Sequence, residues 1–411
     1  MVNKYFQSLV YFPSANFGLY KAEIFPWATF LAIFRVRKIG RIDFLLIFFL
    51  ILSSLYGVYI SGNVFETIRS LGAYINFFSA YFLAKALTET EIISSVRLNR
   101  FMFYFLIILG LLQIFNLIPW ASSFLEFLVP RASSGALIEE NRGVTLISTE
   151  PARAGVELIF IYFLFNLTIK KNYKVFLDLA MGFFLLLVVQ SAMAVALYLI
   201  YISLSYIKTS ILIYIISGYL MVFLQSFEGG GRSLDLIREL INTDLRDAAF
   251  IFLNTGGHRV FSIWSSYNYG LVNFFGGGVG AWQDTSIQAI NLTGYDISQL
   301  RYFQLHGGGG PVAIRSSGVV SNMMLDLGIF YSILFLGSLL LYIKKTVQYL
   351  KSFWVVFPVA VTFLAKILAV GSVGTPVEIF CFILFIRYFQ VSHGVSSITD
   401  LTKVNKTVSY T

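Results

Sequence analysis

Long apolar runs follow one another along almost the whole chain, each near the ~20 residues a helix needs to cross a bilayer, with short polar or basic breaks between them. The runs predict spans near residues 22–34, 42–60, 66–87, 101–119, 148–169, 175–190, 191–207, 209–226, 318–343, 353–370 and 376–390. Residues 5–20 are aromatic and apolar but broken by Pro13 and Gly18, so an interfacial or re-entrant start there would add one more. The runs at 175–190 and 191–207 almost fuse around Gln190 and Ser191, which predicts a tight turn between two half-tilted helices. Only 120–147 and 227–317 interrupt the rhythm for long. The expectation is an all-α polytopic integral membrane protein, a single transmembrane domain over residues 1–411 with about 11–12 transmembrane helices, a first external loop at 120–147 and a large external loop at 227–317.

Basic residues gather in alternate breaks: Arg35, Arg37, Lys38 and Arg41; Arg97 and Arg100; Lys170, Lys171 and Lys174; Lys208; Lys344, Lys345 and Lys351. The positive-inside rule assigns that side to the cytoplasm. Parity then puts the tail with Lys403 and Lys406 inside and both long loops outside. Composition agrees, since 57% of residues are apolar and 12% charged, about half the ~25% charged share of an ordinary soluble domain; a water-soluble fold is excluded. The one cysteine, Cys381, lies within an apolar run, so neither an intramolecular disulfide nor a thiolate metal cluster is expected. The opening residues lack the pattern of a removable signal peptide, and targeting is expected from the spans themselves.

The large loop holds 15 of the chain's 32 glycines, in clusters at 229–231, 256–257, 276–278 with Gly280, and 307–310. It also carries Trp264, Tyr267, Tyr269, Trp282, Tyr295, Tyr302, His258 and His306. Permissive backbone joined to aromatic surfaces suits a polar, bulky ligand such as a sugar. Within it Leu234, Ile237, Ile241, Leu245, Ala248 and Phe252 share one face at helical spacing, opposite Asp235, Arg238, Glu239, Arg246 and Asp247, with Ser233 placed to cap. This reads as an amphipathic helix on the membrane surface or over the bundle, covering whatever enters from the lipid, or as simple packing onto neighbouring spans.

Across 120–155 and 227–317 there are nine arginines (Arg131, Arg142, Arg153, Arg232, Arg238, Arg246, Arg259, Arg301, Arg315) and no lysine, whereas the basic breaks on the other side use both. A planar guanidinium holds an oxyanion in a bidentate fork, so the external surface has the composition of a phosphate site. Seven acids accompany the six arginines of the large loop, and some of those arginines must be in structural ion pairs.

Three stretches carry candidate chemistry. In Ser148-Thr149-Glu150-Pro151-Ala152-Arg153-Ala154-Gly155 the proline suits a first helical turn, but Arg153 and Glu157 bring ionisable groups into an apolar run, where such groups mark functional sites or structural pairs. In Gly256-Gly257-His258-Arg259, with Trp264 and the run Phe274-Phe275-Gly276-Gly277-Gly278-Val279-Gly280, an arginine beside glycines can approach a phosphate closely and the glycine amides could join it. His306 with Gly307–Gly310 and Arg315 leads through Ser321 and Asn322 to Asp326, an acid inside the ninth run. There is no P-loop, no histidine or acid spacing for a metal, and no Gly-x-Ser-x-Gly nucleophile elbow.

These stretches resemble the O-antigen polymerases of bacterial surface-polysaccharide pathways and, more distantly, the O-antigen ligases. The likeness lies in the plan of spans and loops and in three places: Ser148-x-Glu150-Pro151-x-x-x-Gly155, Arg259-x-x-x-x-Trp264 with Phe275-Gly276-x-Gly278-x-Gly280, and Leu325-Asp326-x-Gly328. The family's arginine with a glycine eleven positions on is matched by Arg259 and Gly270, and also by Arg246 and Gly257. Where the ligases have a histidine beside asparagine, this chain has Ser321-Asn322, which favours polymerase.

The resemblance implies a multi-pass glycosyltransferase of the bacterial inner membrane with its active site facing the periplasm. It would take a growing glycan from undecaprenyl diphosphate and join it to the next lipid-linked repeat unit. Donor and acceptor would both be undecaprenyl-diphosphate-linked oligosaccharides; no metal, no other cofactor and no nucleic acid would be needed, and a chain-length regulator in the same membrane is a candidate partner. In this frame Arg259 is the first choice for the diphosphate, with Arg153, Arg315 and Arg142 as further contacts and Trp264, Tyr267 and Trp282 for the sugar. For the general base the order is Glu150, then His306 and Asp326. The alternatives are a ligase acting on lipid A core, a lipid-linked glycan transporter or flippase, for which Lys366 inside the tenth run would be the residue to watch, and a structural membrane protein.

Overall fold

In hydrocarbon every backbone N–H and C=O must find its partner within the protein, and long apolar runs meet that condition as helices. The computed structural model describes residues 4–15, 24–36, 39–117, 127–129, 143–207, 243–348, 353–371 and 373–392, and among the described residues the regular structure is helical with no strand. The helices are α1 (Trp27–Arg35), α2 (Arg41–Ser61), α3 (Val64–Ala86), α4 (Glu89–Ile114), α5 (Pro151–Asn166), α6 (Lys171–Phe183), α7 (Ala192–Ser205), α8 (Leu245–Val272), α9 (Trp282–Leu292), α10 (Arg301–Gly307), α11 (Val319–Gln348), α12 (Phe353–Ala369) and α13 (Val377–Ser392).

Local chemistry sets the boundaries. Gly62 ends α2 in a left-handed conformation at φ 63°, and Asn63 then caps α3 by accepting the Glu66 amide at 3.0 Å. Thr88 and Glu91 form a capping box that starts α4 two residues after α3 stops. The expected basic break at 88–100 is therefore helix, with Arg97 and Arg100 in the third and fourth turns of α4. Pro151 occupies the first position of α5, as its missing N–H favours.

Among the described residues, four helical segments are long and apolar enough to cross a membrane: Arg41–Ser61, Glu89–Ile114, Asn172–Val189 and Val319–Lys344. Ala192–Ser205 and Phe353–Ala369 are apolar but shorter. The protein is thus of the helical membrane class. Two of the expected spans differ from lipid-facing helices in a definite way: Ala154–Phe165 of α5 and Val377–Ile386 of α13 are buried without interruption. These helices pack against each other and against α4, with α7 beside α5 and with α3 and α12 beside α13, so neighbouring helices rather than lipid surround them. The expected loop at 120–147 lies largely, and the span at 209–226 and the first part of the amphipathic stretch, 234–242, lie wholly, outside the described residues; the stretch from Leu245 on is the start of α8.

The bundle has two distinct ends. At one, Lys85 Nζ meets Asp43 Oδ2 at 2.9 Å, Arg35 pairs with Glu91, and Arg387 donates to the Lys85 carbonyl. At the other, the Gln113 side chain brackets the backbone of Leu146, donating to its carbonyl at 2.9 Å and accepting from its amide at 3.0 Å. That pins residues 143–150 over the start of α5. Short connections after α2 and before α7 return the chain directly, so consecutive helices run antiparallel. α11 is broken at Gly328, whose φ of 74° and ψ of −177° are accessible to glycine.

Candidate functional site

Where α3, α5, α11 and α13 begin, the bundle opens into a cavity of about 680 Å³. Ile24, Phe25, Phe30, Phe65 and Ile68 make an apolar wall on the side of α1 and the start of α3. The lining also includes Arg69, Arg153 and Arg315, with Asn76 and Asn322. The floor includes Val373 and Gly374, from the turn between α12 and α13, where the Gly374 carbonyl accepts from Asn76 Nδ2 at 3.0 Å.

Each guanidinium is placed by its own element. Arg153 sits on the first turn of α5 and donates to Thr149 Oγ1 at 2.8 Å. Arg315 precedes α11 and lies 6.0 Å from the Trp282 ring, with Nη1 3.9 Å from Glu66 Oε1; its Nη2 is buried and has no hydrogen-bond partner. Arg69 is on the second turn of α3, with Nη1 3.6 Å from Glu66 Oε2. Glu66 also accepts from Trp282 Nε1 at 2.8 Å. One carboxylate therefore orients two guanidinia and an indole, and the cavity lining itself holds three arginines and no acid.

The sequence candidates fall into separate groups. Arg153 and Arg315 line the cavity, whereas Arg259 is outside its lining and pairs with Glu150, Nη2 to Oε2 at 3.2 Å, both side chains about two-fifths exposed. His258 precedes Arg259 on the same helix, its ring 4.5 Å from Tyr302, which in turn is 4.6 Å from His306 on α10. Asp326 is buried and accepts from the Tyr74 hydroxyl at 2.9 Å. Trp264 is exposed beside Tyr295, ring centroids 6.2 Å apart, and is open to a planar ligand. Tyr267 is engaged by its hydroxyl with the Leu368 carbonyl at 2.9 Å, and Trp282 forms part of the Glu66 and Arg315 cluster. Arg142 lies outside the described residues.

Both glycine expectations on the large loop are corrected. Gly256 and Gly257 are inside α8, so their backbone belongs to a continuous helix rather than to a loop that cradles an anion. In the run after Phe275 the amides are already bonded: Gly276 to the Asn273 carbonyl, Gly277 to Leu325 and Gly278 to Asp326, each at 2.9 Å. Glycine is needed there for close packing, since a Cβ on Gly278, at φ 92°, would stand 2.6 Å from Gly57 Cα. Lys366 is fully buried, with Nζ 3.3 Å from Glu378 Oε1, and Glu157 below Arg153 accepts from Ser148. Among the described residues no group of three or more His, Cys, Asp or Glu side chains could hold a metal ion.

Sequence reasoning missed Glu66 and Arg69. The signal was present, because two ionisable residues three apart at the start of an apolar run are expensive in a membrane and default to function or pairing. These features define a helical membrane protein with a cationic, apolar-walled cavity at one end of its bundle. Comparison of the chain with known protein families, characterised proteins and solved structures finds no match.

Proposed function

We propose that the protein is a membrane glycosyltransferase of the O-antigen polymerase kind, transferring a growing glycan from undecaprenyl diphosphate to the next lipid-linked repeat unit. The observation that carries this reading is the cavity, which Arg69, Arg153 and Arg315 line together with the apolar Phe25, Phe30, Phe65 and Ile68. A prenyl diphosphate needs that combination: forked donors for the phosphates and apolar surface for the chain beside them. At about 680 Å³ the space falls within the range usual for small-molecule sites, ~300–1,000 Å³. On the positive-inside rule the cavity faces away from the cytoplasm, which for a bacterial inner-membrane protein is the periplasm.

In this mechanism an acceptor hydroxyl oxygen attacks the anomeric carbon of the donor glycan. The bond from that carbon to the diphosphate oxygen breaks, and the diphosphate leaves with the electron pair. The three cavity arginines stabilise the charge that develops on it. Glu150, at the exposed start of α5, takes the hydroxyl proton, and Arg259 orients its carboxylate. Trp264 and Tyr295 offer the surface for a sugar ring. Asp326, buried behind the cavity on Tyr74, acts on position rather than on substrate.

The test is the surface-polysaccharide profile of a strain lacking the gene. Loss of a polymerase leaves lipid A core bearing a single repeat, and loss of a ligase leaves core with none. An unchanged ladder overturns both.

A further inference from the structure

The hairpin of α8 and α9 does not stay above the bundle. Its turn, residues 273–281, is bonded to backbone well inside two membrane-span candidates: Gly277 and Gly278 donate to the Leu325 and Asp326 carbonyls, and Val279 donates to the Ser53 carbonyl at 3.2 Å. Ser53 Oγ closes the same cluster on the Asp326 carbonyl at 3.1 Å. Ser53 precedes the end of α2 at Ser61 by eight residues and Asp326 follows the start of α11 at Val319 by seven, depths of about 12 and about 10 Å at ~1.5 Å per residue. The whole of α2, 21 residues and about 31 Å long, matches the ~30 Å hydrocarbon thickness, so such a depth lies within hydrocarbon.

Three further features fit that position. No charged residue occurs between Arg259 and Asp284. Non-helical backbone at this depth is tolerated only when protein satisfies it, and the tip amides answer carbonyls released by the break in α11. Leu271, Val272, Phe274 and Phe275, at the tip, are each more than half exposed. Their apolar surface runs on into the bundle's outer face, since the Phe274 ring lies 5.7 Å from Phe330 of α11, and Phe330 lies 5.5 Å from Phe49 of α2.

We propose that the α8–α9 hairpin is a re-entrant membrane segment, with its tip seated between α2 and α11 and Leu271, Val272, Phe274 and Phe275 in contact with lipid acyl chains. It stands independently of the transferase reading. The same tip holds the backbone of Asp326, whose carboxylate is bonded to Tyr74 of the cavity-lining helix α3, so lipid contact and cavity wall are mechanically joined.

The experiment uses full-length protein with Cys381 replaced by alanine, reconstituted in phosphatidylcholine vesicles and carrying single nitroxide labels. Labels at Phe275 and Val272 are compared with one at Ile333, exposed on α11, and one at the exposed polar Gln304 of α10. The expected result is that labels at 272 and 275 match the one at 333, colliding readily with oxygen and shielded from a water-soluble nickel complex, while the label at 304 does the opposite. Nickel accessibility at 272 and 275 equal to that at 304 overturns the proposal by placing the tip in water. Labels reached by neither reagent also overturn it, because protein would then cover the patch.

Discussion

Replacing Arg315 by lysine separates a phosphate contact from a structural ion pair. In the free protein the guanidinium has weak ties: Nη1 is 3.9 Å from Glu66, the Trp282 ring is 6.0 Å away, and the side chain is 30% exposed. A partly exposed pair of that length contributes ~0–1 kcal/mol and the ring contact a similar amount, so Arg315→Lys should leave thermal stability nearly unchanged. Its Nη2 is buried without a partner, while the exposed part of the side chain lies in the cavity lining, where a ligand oxygen can reach it. Lysine keeps the charge but loses the fork, and one charge-assisted hydrogen bond is worth about 1.5–3 kcal/mol, a loss of about 10- to 150-fold in kcat/KM. The assay is extension of glycan on lipid-diphosphate repeat units by purified protein, run beside a melting curve of the same sample. Arg301→Lys, on exposed α10 and outside the cavity lining, should be silent in both. Near-normal turnover by a stable Arg315→Lys protein would refute the assignment of this cavity to a diphosphate.

Four further outcomes are expected. Lys366→Met should cost about 3–5 kcal/mol by stranding Glu378 in the core, and adding Glu378→Leu should recover most of it in denaturant unfolding; no recovery would mean the pair is not the source of the loss. Gly278→Ala should cost about 2–5 kcal/mol, from the left-handed backbone and the clash with Gly57 together, and an unaffected midpoint would refute the close crossing. Single cysteines at Gln304 and Lys345, with Cys381 removed, should label from opposite sides with an impermeant thiol reagent; labelling from one side would overturn the sidedness and the mechanism with it. On the proposed reading guanidinia contact the diphosphate, so glycan extension should persist in excess chelator, and abolition reversed by a divalent cation would assign that role to a metal.

The class of fold was legible in the pattern of residues alone. Apolar runs of bilayer length have one economical backbone solution, and Pro151, Asn63 and the Thr88 and Glu91 pair mark helix starts through groups only a few residues apart. The separation of arginine from lysine was legible too, but it singled out nine arginines with Arg259 first, and of these Arg153 and Arg315 line the cavity while Arg259 does not. Tertiary structure decided what stands opposite each segment. Arg69 joins those arginines because the start of α3 lines the same cavity as the start of α5 and the segment entering α11, and Glu66 is buried because Trp282 and Arg315 arrive from far along the chain. Periodicity reports which face of a helix is apolar, but it is silent on whether lipid or protein meets that face. Hence α5 and α13 read as spans while being enclosed by other helices. The glycine run after Phe275 reads as an open nest until Gly57, Leu325 and Asp326 close on it, because hydrogen-bond partners in a packed bundle are chosen by helix crossings and not by sequence distance.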